Sequence, residues 1–338
     1  MKHSTVVGED GFTDIEWYDL VIVVITMNRE GYNDGEQEMY IGYLTQTVAR
    51  LLQIFHSDNT AAFRRKKLIM CSVDRQPQTF TEALDLSNIV QTVFRYRNNS
   101  AQRHDDVTRN IYEVEKNDYV YCLQTASRYA SLHYLVLEDD VLLDENAIET
   151  LNFIMNYFDL FATTDWLFLK LFYPDKWSGY DRSWKTVLEL GGYSMLGGCV
   201  CGVLVLMIPK HRKSSSSYQN LRLSFWFVVG AVFTALMCAS IGRQYVESWR
   251  QYFASTHRLV AAPDCCTQAT LYPAHVVSDL CAHLSRIHSD SDFAKDIAID
   301  GFAHVRGLKR YLVQPNIVKH IGLISGLHRK SKTAEHFL

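Results

Sequence analysis

Three adjacent carboxylates, Glu138-Asp139-Asp140, follow directly on the apolar run Tyr134-Leu135-Val136-Leu137. Neighbouring negative charges raise one another's free energy, so such a triplet persists where a hard divalent cation or several hydrogen-bond donors neutralise it. At a strand end it suits Mg²⁺ or Mn²⁺ shared between one or two carboxylates and the phosphates of a substrate. The competing reading is an acidic turn in which Asp139 or Asp140 caps the next helix. The strand immediately upstream favours the cation. Arg29 and Asp74 likewise follow apolar runs, Leu20 to Met27 and Leu68 to Val73.

These residues need a scaffold that delivers strand ends to one place. Leu20 to Met27 holds the β-branched series Val21-Ile22-Val23-Val24-Ile25, which suits a buried strand. Gln37 to Phe55 then repeats apolar residues at a helical period: Tyr40, Tyr43, Leu44, Val48, Leu51, Leu52, Phe55. Leu68 to Val73 and Ile89 to Phe94 read as strands, Tyr112 to Tyr129 as a helix and Tyr134 to Leu137 as a fourth strand. Asn146 to Phe158 is helical again, and Trp166 to Phe172 a further strand. Strands and helices alternating at this spacing predict βαβ units, an α/β fold with a mainly parallel sheet and helices on both faces. Ligands of such sheets bind at the carboxyl ends of the strands, where Arg29, Asp74 and the acidic triplet fall.

The 338 residues carry 34 Lys plus Arg against 37 Asp plus Glu, a formal charge of −3, so there is no strong positive field and nucleic acid is excluded as a general partner. Two stretches break the soluble pattern. Leu190 to Pro209 and Leu223 to Gly242 contain no charged residue, and each is about as long as a helix needs to cross a hydrocarbon core. Lys210, Arg212, Lys213 and Arg222 lie in the short connection, which the positive-inside tendency places on the cytoplasmic side, with both flanks on the other. Gly198 and Gly202 stand at the GxxxG spacing that lets membrane helices approach closely. The alternative is a pair of buried helices in a large soluble core. These stretches divide the chain into a first catalytic part (1–186), a transmembrane hairpin (187–242) and a second catalytic part (243–338). No N-terminal signal is apparent, so the expectation is that the hairpin directs insertion or that an anchor precedes this sequence.

The segment VLEDDVLLDENA resembles the DxD-type metal and nucleotide-sugar motif of GT-A glycosyltransferases, with Glu138 in the first acidic place and Asp140 in the last. An acidic triplet combined with membrane helices inside the catalytic domain resembles, more closely, the Golgi family that adds N-acetylgalactosamine to the first mannose of glycosylphosphatidylinositol (GPI) anchors. The likeness to the branching N-acetylglucosaminyltransferases of N-glycans is more remote. VITMNRE (Val24 to Glu30) is similar to that family's first nucleotide loop, MCSVDRQP (Met70 to Pro77) to its second strand end, and EKNDYVYCLQTA (Glu115 to Ala126) to the helix before the acidic motif. The tail YLVQPNIVKHIGLISGL (Tyr311 to Leu327) resembles the shared C-terminal signature. The departures are Glu in place of the first Asp and the N-terminal anchor of the family, which is not found.

The resemblance implies a UDP-sugar donor, a GPI-anchored glycan acceptor, Mn²⁺ or Mg²⁺ as cofactor, contact with membrane lipid and a multi-pass Golgi enzyme with its catalytic domain in the lumen. It makes Asp140 a metal ligand and places Glu138 at the ribose or, through water, at the metal, with Asp139 beside them in the donor site. His320 is the candidate second metal ligand, because neutral imidazole suits Mn²⁺ better than Mg²⁺. Arg29, Asp74 and, with a weaker case, Lys116 are candidates for uracil, ribose or diphosphate; a solvated cation is the plain alternative for Arg29 and Lys116. A β linkage made from an α-linked UDP-sugar requires inversion and a general base for the acceptor hydroxyl. Asp296 and Asp300, one turn apart on the same helix face, are the candidates, and Asp296 is preferred. Two other readings of function remain: an N-glycan branching transferase, and a non-catalytic membrane scaffold that keeps the fold.

Cys199, Cys201 and Cys238 lie in the apolar stretches, where packing accounts for them. Cys71, Cys122, Cys265, Cys266 and Cys281 can supply up to two disulfides of open connectivity. Asn98-Asn99-Ser100 is a sequon with meaning only on a lumenal face.

Overall fold

A computed structural model describes residues 16–29, 42–57, 63–97, 110–160, 162–174, 180, 184–207, 216–247, 256–291 and 293–322. The sequon, the basic residues 210–213, Glu30 and the end of the C-terminal signature fall outside these.

The chain divides into two units, one within residues 1–172 and 254–333, the other chiefly within 173–253. In the first, β1 (Trp17–Thr26), β2 (Lys66–Ser72), β3 (Gln91–Phe94), β4 (Ala130–Glu138), β6 (Trp166–Lys170), β7 (Arg258–Ala261), β8 (Ala269–Pro273) and β9 (Lys309–Gln314) form one sheet in the order β3-β2-β1-β4-β8-β6-β9-β7. The pairs β3/β2, β2/β1, β1/β4 and β6/β9 are parallel, whereas β8 runs antiparallel between β4 and β6, and β7 antiparallel on β9. Reversed strands β8 and β7 were not legible beforehand; the expected strands and their direction are all present. Two short strands, β5 (Val141–Leu143) and β10 (Val318–His320), pair separately and antiparallel.

Leu20, Val21, Ile22, Val23 and Val24 have no solvent exposure, because both faces of the sheet are covered. Alternate residues Leu20, Ile22 and Val24 join one core with Leu44, Val48, Leu51 and Ile54 of α1 (Tyr43–Ser57) and with Ile148, Leu151 and Ile154 of α4 (Ala147–Tyr157). On the other side α3 (Ile111–Ser127) packs on β1 and β4 beside α8 (Ala274–Leu284) and α9 (Lys295–Arg306). A disulfide joins Cys71 of β2 to Cys122 of α3, resolving one pairing the sequence left open. The short α2 (Thr81–Leu86) supplies Glu82, whose carboxylate accepts from the Thr45 amide in the first turn of α1 at 2.6 Å.

The second unit holds α5 (Trp184–Met207), α6 (Ser216–Ile241) and the single turn α7 (Arg243–Val246). Residues Trp184–Met207 and Gln219–Ile241 are long and apolar enough to cross a membrane. Leu204, Phe233 and Leu236 are among the large apolar side chains that face outward on them. Glycine sets their approach: a Cβ on Gly198 would lie 2.8 Å from the Phe227 carbonyl oxygen, and one on Gly230 2.6 Å from Cys201 Cβ. Beyond the expected GxxxG pair, Gly197 and Gly230 are thus contact positions.

Candidate active site

Strand β4 ends at Glu138, and Asp139 and Asp140 form the turn into β5. Both aspartates are buried, so their charge must be met locally. Arg29, just beyond β1, bridges them: Nη2 donates to Asp139 Oδ1 at 2.5 Å and Nη1 to Asp140 Oδ2 at 2.6 Å. Thr26 Oγ1 donates to Asp139 Oδ2 at 2.6 Å, and the Met27 amide reaches the same oxygen at 3.3 Å. Thr47 of α1 fixes the turn from behind, its hydroxyl lying 2.7 Å from the Asp139 carbonyl and 3.0 Å from that of Val141.

His320 reaches Asp140 through the pairing of β10 with β5, which sets His320 opposite Val141. Its Nε2 lies 3.3 Å from Asp140 Oδ2, and its ring stacks on Phe172 at a centroid distance of 5.7 Å. The Ile321 amide donates to the Asp140 carbonyl at 2.8 Å, holding the C-terminal segment against the turn. The two carboxyls diverge in acidity. Burial pushes Asp139 up to about 6 despite Arg29. Burial acts the same way on Asp140, but His320 and Arg29 outweigh it and hold that carboxyl well below the usual range.

Glu138 belongs to a second group. Lys295, at the start of α9, lies with Nζ 2.6 Å from Glu115 and 3.9 Å from Glu138, over the Tyr119 ring. Burial raises the Glu138 carboxyl, and Lys295 opposes that rise. Asp296 is the next residue, in the first turn of α9 as expected, and its Oδ2 accepts from the Cys266 amide at 3.1 Å. Asp300, one turn on, is ion-paired with Arg310 of β9. Asp296 is therefore held by a backbone donor, whereas Asp300 is neutralised by a cation.

Asp74, beyond β2, stitches the two strand ends together by accepting from the amides of Asn28 at 2.9 Å and Gln76 at 2.7 Å. Lys116 is not brought to this group. It is fully buried, bonded to Glu113 Oε1 at 2.8 Å and to the Ile287 carbonyl, and so ties α3 to the segment after α8. A lysine three residues beyond a glutamate on one helix is pre-paired, which the donor-site expectation overlooked. Lys295 was the residue sequence reasoning passed over, although it stands beside the preferred base.

Arg29, Asp139, Asp140 and His320 thus meet at the carboxyl ends of β1 and β4, with Glu138, Lys295 and Asp296 on the adjoining side. Among the described residues, no three His, Cys, Asp or Glu side chains group as a closed metal cage. A two-residue set does fit a divalent ion completed by phosphate and water: Asp140 Oδ1 is buried without a hydrogen-bond partner, beside an imidazole. A buried acidic turn at the switch from β1 to β4 stands at the strand ends where an α/β sheet receives its ligand. The model of the family described as GPI-N-acetylgalactosamine transferase PGAP4 matches residues 20–319, from the first strand of this sheet to the strand that carries His320, and the chain belongs to that glycosyltransferase family.

Proposed function

We propose that this chain transfers N-acetylgalactosamine from a UDP-sugar to a mannose of the GPI-anchor glycan, with inversion, in the Golgi membrane. The observation that carries this reading is the convergence of Arg29, Asp139, Asp140 and His320 at the ends of β1 and β4. Asp140 and His320 would hold Mn²⁺ or Mg²⁺, which when bound offsets negative charge on the departing diphosphate. Arg29, already buried between two carboxylates, adds a fixed positive group to the same end of the site. Asp74 orders the β1 and β2 loops that face the nucleotide. Asp296 is the base for the acceptor hydroxyl, oriented by the Cys266 amide. Residues 1–186 and 243–338 then form one discontinuous lumenal domain tethered by the hairpin. The Cys71–Cys122 disulfide supports an oxidising compartment.

The test is UDP release by the purified full chain across a panel of UDP-sugars, in Mn²⁺ and in EDTA, followed by transfer to a mannose-bearing GPI glycan. Release with UDP-N-acetylgalactosamine in Mn²⁺, abolished by EDTA and lowered about a hundredfold in Asp140→Ala, is expected. Wild-type transfer by a normally expressed Asp140→Ala would overturn the assignment. Carbonate extraction tests the tether; release of the chain into the soluble fraction would refute it.

A further inference from the structure

The loop between β7 and β8 carries two consecutive cysteines, Cys265 and Cys266, and is fastened at three points. Lys170, the buried last residue of β6, donates from Nζ to the carbonyls of Pro263 at 2.7 Å and Cys265 at 2.5 Å. The Cys266 amide donates to Asp296 Oδ2. Cys266 adopts φ 75°, a left-handed conformation that a side-chain-bearing residue takes only under constraint. Both thiols are free, and the Cys266 sulfur lies 2.6 Å from that of Cys265, a contact only about half an ångström longer than the ~2.05 Å of an S–S bond.

We propose that Cys265 and Cys266 form a vicinal disulfide, an eight-membered ring that locks the turn whose amide orients Asp296. The bridge stands on the geometry of the loop alone; only its consequence for transfer rests on Asp296 being the base. The loop is prepared for this chemistry. The neighbouring Cys266 thiol, followed by the Lys170 ammonium, draws the Cys265 thiol below its ordinary value, whereas Cys266 is held protonated. Cys265 thiolate attacks one sulfur of an incoming disulfide, such as oxidised glutathione, and expels its partner thiol. Cys266 then gives up its proton and attacks the Cys265 sulfur of the mixed disulfide, expelling the second thiol. Two S–H bonds break and one S–S bond forms, while the incoming disulfide takes both electrons and both protons and leaves as two thiols. Both cysteines are half-buried, so such an oxidant can reach them. The Cys266 amide already donates to the Asp296 carboxylate with both thiols free, and an oxidised pair fixes it there by removing the freedom of two side-chain torsions.

The full chain, purified in detergent without reductant, is denatured, alkylated and digested with trypsin. Cleavage after Arg258 and Arg286 isolates the peptide from Leu259 to Arg286, which holds Cys265, Cys266 and Cys281. A single alkyl label, on Cys281, with the peptide two hydrogens lighter than the reduced form, is expected. Labels on all three cysteines, or a bridge from either member of the pair to Cys281, would overturn the proposal. For the positioning role, the double variant Cys265→Ser, Cys266→Ser should lose about tenfold in kcat with an unchanged KM for the donor. It should also be indifferent to mild dithiothreitol, which lowers wild-type kcat reversibly. Full kcat in the double variant would remove the positioning role while leaving the peptide result to decide the bridge. If Asp296→Asn keeps wild-type kcat, it is the base assignment that fails, and the mass of the peptide still decides the disulfide.

Discussion

Gly322 offers a way to disturb Asp140 without touching it. A methyl group built on Gly322 would sit 1.9 Å from Asp140 Oδ2, 2.7 Å from Cγ and 3.1 Å from Cβ, where ordinary contact begins at 3.4 Å. Either the Gly322 backbone or the Asp140 side chain must move by more than 1 Å. The backbone is the stiffer of the two, because the Ile321 amide is bonded to the Asp140 carbonyl at 2.8 Å and β10 is paired to β5 just before it. The carboxylate therefore rotates, and its contacts with Arg29 and His320 are lost together. Overpacking of this kind costs about 1–3 kcal/mol in stability. A displacement of about 1 Å at a reacting group costs on the order of a hundredfold in rate. Gly322→Ala should thus fold, with a melting temperature lowered by a few degrees, yet transfer N-acetylgalactosamine about a hundredfold more slowly, close to the level of Asp140→Ala. The assay pairs thermal unfolding of the detergent-solubilised chain with UDP release in Mn²⁺. A Gly322→Ala enzyme with wild-type turnover would show that the position of Asp140 is not critical, and the reasoning about its role would fall with it.

Three further outcomes are expected. Asp139→Ala takes away the acceptor of Thr26, Met27 and one arm of Arg29, so it should lower stability by about 1–3 kcal/mol in denaturant unfolding; a stability equal to wild type would contradict the bridging role. Lys295→Met removes the cation that opposes the upward shift of Glu138, so Glu138 protonates at higher pH; the acid limb of the pH–rate profile should move upward, and a stationary limb would refute the coupling. His133, buried against Trp166, has its imidazole pushed down to about 4, first by desolvation. Its stabilising contribution is complete above the unfolded value of ~6.5 and is lost as pH falls toward the folded one, a loss on the order of 3 kcal/mol. His133→Gln should flatten that part of the stability–pH curve, and parallel curves for the two proteins would exclude His133 as its source.

What was legible in the sequence follows from how each element is stabilised. Strands β1, β2 and β4 are buried on both faces, so they appear as unbroken apolar runs, and the charged residues that end them stand out. That is why Arg29, Asp74 and the acidic triplet could be named before their contacts were known. The ion pairs of Arg29 with Asp139 and Asp140 were not legible in the same way: a pattern marks a strand end but says nothing of which neighbours satisfy one another. His320 was found through a motif, since the three-residue strand that carries it is too short to declare itself. The neighbourhood of Asp296 was hidden for a different reason. Cys266 before β8, whose amide meets Asp296, and Lys170 on β6, which fastens the same loop, come together because β8 enters antiparallel between β4 and β6, after the two apolar helices have intervened in the chain. A crossover that long is fixed by edge-to-edge pairing of the whole sheet, and no local window of residues reports it. The same strand insertion sets the Glu138–Lys295 contact, so the acidic turn that begins the site and the helix that completes it are joined by topology alone.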